Sequence, residues 1–197
     1  MGLSIHYNGS FKQGASLTEM IDEIEDIAKI NKWDLFIFER DFPENSYGKL
    51  EYTNDLYGIL FSPPKCEPIC MCFLSNGLLS SPIDLKFNSV YAKKPSCELM
   101  GLNSTKTQFA GIETHKTIIH LIDYLSKKYL DNFTLSDEGQ YWETRDEKLL
   151  QEIFNRYDNA MDIFARGIEN IPKLEGESTE DLIKRIYRQM RCDKKNL

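Results

Sequence analysis

Apolar residues in this chain switch abruptly from a period of two to a period of 3.6, and the switch recurs later. Leu3, Ile5 and Tyr7 alternate with Ser4, His6 and Asn8, the spacing of a strand with one buried face. From Leu17 the spacing is helical. Leu17, Met20, Ile21, Ile24, Ile27 and Ala28 form one stripe, and Glu19, Asp22, Glu23, Glu25 and Asp26 form the other. Ser16 and Glu19 stand as a capping box that fixes where this helix starts. The second switch runs from an alternating Lys106–Ala110 to a helix over Ile112–Leu130 whose stripe is Ile112, His115, Ile118, Ile119, Ile122, Leu125 and Tyr129. Such a chain must bury helix stripes against sheet faces.

Between the switches, Leu35–Phe38, Leu56–Phe61 and Ile69–Leu74 read as strands. Asn76 and Gly77 predict a type I′ turn that brings Leu78 and Leu79 back antiparallel. Residues 80–100 are weakly patterned, with a short strand at Val90, Tyr91 and Ala92. Phe133 and Leu135 continue as a strand, and Thr144 and Glu147 form a capping box opening a long helix with Leu149, Leu150, Ile153, Phe154, Tyr157, Met161 and Phe164 inward. Pro172 and Gly176 mark a linker, and Ser178 and Asp181 start a last helix. The order predicts an α+β fold: a mostly antiparallel sheet with amphipathic helices on one face and a helical C-terminus. Leu3–Phe42 and Lys106–Tyr141 read as duplicated strand–helix–strand units. The expected domains are 1–168, a linker 169–177 and a C-terminal amphipathic helix 178–197.

With 41% hydrophobic and 12% aromatic residues in 197, the chain can fill a core. Its formal charge of −7 argues against nucleic acid, whose phosphates need a basic surface. No apolar run is long enough to span a membrane, and no signal segment precedes the first strand. Cys66, Cys70, Cys72, Cys97 and Cys192 are then reduced thiols, and a cytoplasmic location is expected. Lys184, Arg185, Arg188, Arg191, Lys194 and Lys195 make the last helix basic, a surface for an acidic partner or a second copy of this acidic chain.

Chemistry-bearing residues gather between Thr105 and Glu147. His115 shares its stripe with aliphatic residues, so its ring faces the sheet, either as a general base or as a core histidine bonded to a neighbour. Glu113 lies two residues away, about 200° around a helix, and suits the helix dipole at the first turn. Asp137, Glu138 and Glu143 bracket Gly139 and could divide acid and base roles, or stand as solvated loop acids. Tyr141 and Trp142 beside them offer an aromatic wall for an organic cation or an arginine-rich partner. Cys66 follows Lys65 in a proline-rich loop and becomes a nucleophile only if that lysine lowers its pKa. The C-x3-C-x-C spacing of Cys66, Cys70 and Cys72 is no usual zinc or redox pattern, so no metal is assigned. Walker, Rossmann and H-E-x-x-H signatures are missing too, and no cofactor can be named.

The strings Lys106–His115 and Asp137–Glu143, with the start Met1–Tyr7, resemble a family of small uncharacterised bacterial proteins over residues 1 to about 165. The resemblance implies a bacterial, cytoplasmic protein and no mechanism. The leading expectation is a non-catalytic protein binding a small molecule or a basic protein through Glu113, His115, Tyr141, Trp142 and Glu143. The alternatives are a hydrolase using His115 with Asp137 or Glu138, with or without a metal, and an interaction protein of the immunity or antitoxin type.

Overall fold

The computed structural model describes residues 2–91, 103–169, 174, 176–178 and 180–186. Ala92, Cys97, Pro172, Tyr187, Met190, Cys192 and the basic residues Arg188, Arg191, Lys194 and Lys195 lie outside them. Two compact units divide the chain at Phe154/Asn155, inside the last long helix.

The first unit runs β1 (Ser4–Phe11), α1 (Leu17–Asn31), β2 (Asp34–Ile37), β3 (Tyr57–Ser62), β4 (Ile69–Phe73), α2 (Pro82–Tyr91), β5 (Asn103–Lys106), α3 (Ile112–Tyr129), β6 (Leu130–Asp137), α4 (Tyr141–Thr144) and the start of α5 (Glu147–Glu169). This is an α+β fold, with two antiparallel sheets ordered β5-β1-β6 and β2-β3-β4. One edge of β1 is shared. Its first half pairs with β5, and beyond that Phe11 N donates to Gly77 O (2.7 Å) and Leu79 N to Gly9 O (3.0 Å). The return arm after β4 thereby joins the two sheets.

Odd-numbered side chains of β1 and the Ile59, Phe61, Ile69, Met71 and Phe73 face of the second sheet are buried. Helix α1 covers β2 and β3, α3 covers β6, and the two helices touch. Fully burying one such aliphatic side chain contributes about 1.5–3 kcal/mol. Helix α1 starts where the capping box requires, with Glu19 N donating to Ser16 Oγ at 3.2 Å.

Several expectations are corrected. Only Gly77 of the Asn-Gly pair has positive φ (88°), and Gly77 N donates to Leu74 O, so the hairpin closes through a turn over Leu74–Gly77 with Gly77 left-handed rather than a type I′ turn. Val90 and Tyr91 belong to helix α2, not a strand. Ser81 and Asp84 cap that helix reciprocally around Pro82, a helix-start signal stronger than the β-propensity of Val and Tyr. α2 also carries Leu85 onto a cluster of Leu56, Cys72 and Leu74 on the sheet face away from α1, so the helices do not all share one face. The alternation over Lys106–Ala110 is not a strand: β5 ends at Lys106, where its partner β1 begins, and Gln108–Ala110 is a single 3-10 turn. Finally, α5 is capped by Asp146, not Thr144, because Asp146 Oδ1 accepts from Lys148 N (2.8 Å) and Leu149 N (3.2 Å). The two strand–helix–strand units also differ in plan. β1 and β2 lie in separate sheets, whereas β5 and β6 flank the same strand.

The buried Tyr7 hydroxyl ties the sheets together. It accepts from Cys70 N at 2.9 Å and lies 3.4 Å from Thr105 Oγ1, which itself donates to Pro68 O at 3.0 Å. Burial, with Cys70 close by, pushes its pKa up, so it stays a phenol. Tyr7→Phe strands the Cys70 amide and should cost about 1–3 kcal/mol in urea unfolding, with an unchanged circular dichroism spectrum.

In the second unit the last helix starts as expected: Asp181 N donates to Ser178 Oγ at 3.1 Å, and residues 180–186 are helical. Lys184 pairs with Glu180 (2.6 Å) and Arg185 with Glu177 (2.7 Å), so local acids hold two of its basic side chains. Among the described residues no helix is long and apolar enough to cross a membrane.

Candidate functional site

Helix α3 delivers His115 to the end of β6, where Asp137 waits. His115 Nε2 lies 3.1 Å from Asp137 Oδ2, and His115 Nδ1 lies 2.7 Å from Thr107 Oγ1. Both His115 and Asp137 side chains are 0% exposed. Asp137 is also the acceptor for the turn that follows. Its Oδ1 accepts from Gly139 N (2.7 Å), and its Oδ2 accepts from Tyr141 N (2.8 Å) and Trp142 N (3.1 Å). Burial alone would raise this carboxyl. The His115 hydrogen bond and charge, with the Gly139 and Trp142 amides, outweigh burial and hold it below the usual carboxylate range.

Ionised Asp137 is acceptor-only, so Nε2 of His115 carries a proton, and the Thr107 hydroxyl serves Nδ1. Phe154 closes the remaining side edge-on, 5.6 Å between ring centroids. The turn itself seals the top. A Cβ on Gly139 would sit 2.8 Å from Leu150 Cδ1 and 3.0 Å from His115 Nε2. The His115 side chain is closed to solvent, whereas Trp142 is half-buried.

The other candidates of this segment lie around the closed pair. Glu138 is exposed, accepts from Ser4 N at 2.8 Å and lies 3.5 Å from His6. Glu143 is exposed and lies near Asp137 N at 3.4 Å. Glu113 points to water and pairs with Lys116 at 3.4 Å, away from the imidazole. Tyr141 is buried with its hydroxyl 3.3 Å from His120 Nε2. Trp142 is half-buried against Phe133, and Arg145 lies over its ring at 5.3 Å while pairing with Asp123 at 3.4 Å. The chain's own guanidinium thus covers the aromatic face that an organic cation would use.

Cys66 is half-buried with its Sγ 3.5 Å from Lys106 O. Burial first, and then Glu67, push its thiol up to about 12, so it is protonated near neutral pH and lacks the activation sought from Lys65. Among the described residues no group of three or more His, Cys, Asp or Glu side chains is placed to hold a metal ion.

A concavity lies elsewhere, on the face of the second sheet turned away from α1. It is an open groove of about 490 Å³, lined by Phe36, Phe38, Leu56 and Leu85 with Glu39 and Asp55. Phe36 is 58% exposed, with its ring edge-on to Phe38 at 4.8 Å. Neither Glu39 nor Asp55 forms an ion pair among the described residues. Sequence reasoning missed this groove. The signal was Leu35-Phe36-Ile37-Phe38, apolar on both faces where one buried face would leave alternation.

Compared with known protein families, curated proteins and solved structures, the chain matches none.

Proposed function

We propose that this is a non-catalytic binding protein whose ligand seats in the groove over β2 and α2. One contrast supports the reading. The residues with acid–base chemistry, His115 and Asp137, are enclosed and fully bonded, while an aromatic side chain, Phe36, is exposed at the mouth of a concavity of mixed apolar and acidic lining. An interaction protein of the immunity or antitoxin type is the second reading, favoured by the carboxylates of Glu39 and Asp55 on the same rim, which form no ion pair among the described residues.

The neutral dye Nile red tests the site. Its emission should rise and shift to the blue with the native chain, and Phe36→Ser should remove most of that change while leaving the melting temperature within about 2 °C. No emission change with the native chain would contradict the reading. So would an effect that survives Phe36→Ser but disappears in Trp142→Ala.

A further inference from the structure

Resting on that reading, we infer that the occupant is an extended segment of a partner protein, bearing apolar side chains interspersed with lysine or arginine, which adds a strand to the free edge of β2. Three observations carry this. The first is shape: the groove is open and runs along consecutive residues Phe36–Glu39 rather than closing around a small molecule.

The second is the edge. β2 ends the order β2-β3-β4, and its outer side meets no strand among the described residues. Phe38 N donates inward to Gly58 O at 2.9 Å, and by alternation the backbone groups of Phe36 also face β3. Those of Leu35 and Ile37 therefore point outward, two amides and two carbonyls ready for an incoming strand.

The third is charge. On α1, Asp22 and Glu25 are held by Arg40, Glu23 by Lys128, and Glu25 also by Lys29. Glu39 and Asp55 at the groove, and the exposed Asp34 at the start of β2, have no such partner among the described residues. An incoming lysine or arginine meets carboxylates that form no ion pair among the described residues. The same charges disfavour a second copy, because pairing two β2 edges would set like charges together.

The test is a nitrogen-15 NMR titration of the full chain with an acetylated, amidated eight-residue peptide alternating leucine and lysine. The inference expects shifts confined to Leu35–Glu39, Asn54–Leu56 and the start of α2. It expects at least fivefold weaker binding by the Glu39→Gln, Asp55→Asn double variant, no binding of the peptide with glutamate for lysine, and loss of binding when alternate peptide amides are N-methylated. Shifts confined to the acidic face of α1, equal binding by the double variant, or equal binding of the N-methylated peptide would overturn it. So would concentration-dependent shifts of β2 without peptide, which mark self-association. Phenylpropanol in place of peptide separates the two readings. If it moves the groove resonances while the lysine peptide does not, the groove stands and the strand-addition inference falls. If neither moves them, both fall.

Discussion

Asp137→Ala should lower the stability of the first unit by about 3–5 kcal/mol, seen as a fall in the urea midpoint with little change in slope. The size follows from what the carboxylate holds. Four donors converge on it: His115 Nε2 and the amides of Gly139, Tyr141 and Trp142. The two side chains are fully enclosed and the Gly139 and Tyr141 amide bonds are buried, and each stranded amide costs about 1–3 kcal/mol. Helix α4 has no side-chain cap from Gln140, so the Asp137 carboxylate takes that role and the turn 138–143 should loosen without it. Glu143→Gln, on the exposed neighbour, should stay within about 0.5 kcal/mol of the parent.

The same carboxylate sets a pH dependence. Its folded pKa is depressed, so its stabilisation is present above the unfolded value of about 3.9 and disappears as pH falls through the lower folded value. Acid denaturation curves below about pH 4 should therefore flatten in Asp137→Ala relative to the parent.

Gly58→Ala is expected to be comparably severe, at about 3 kcal/mol or more, with lost groove binding as well. Gly58 holds φ at +123°, and a Cβ there would lie 2.2 Å from the Met71 carbonyl oxygen and 3.1 Å from Cys72 Cα. Backbone, not a flexible side chain, is in the way. Relief requires β3 to move off β4, and Gly58 is also the residue whose carbonyl accepts from Phe38 N and whose amide donates to Glu39 O. The shift would displace Phe36–Glu39 and with it the groove floor. Gly14→Ala is the matched control. Its φ is +86° with nothing within 4 Å, so only backbone strain of about 1 kcal/mol remains.

What could be read in advance was local. The α1 and α3 stripes and the Ser16 cap depend on residues three and four apart, and all three stand where the spacing put them. The start of α2 was equally local, in Ser81, Pro82 and Asp84, but the bulky Val90 and Tyr91 drew attention to the wrong end of the segment. Contacts distant in sequence were harder. That His115 and Asp137 meet was suggested by their types, yet the lid is a glycine, and nothing about Gly139 in the sequence says that Leu150 lies 2.8 Å from its missing Cβ. Arg145 over Trp142 was likewise invisible, since it depends on a left-handed Arg145 (φ 55°) after a four-residue helix. The groove went unread because its walls come from three separated segments, 36–39, 54–56 and 82–85, and only the doubly apolar β2 hinted at it.

The His115–Asp137 pair is a closed structural joint. Diethyl pyrocarbonate modification of the native chain, followed by peptide mass spectrometry, tests it most directly, because the chain has 3 histidines and His6 and His120 are exposed. His6 and His120 should be carbethoxylated while His115 stays unmodified until urea unfolds the chain. Modification of His115 in the native protein at a rate comparable to His6 would contradict it.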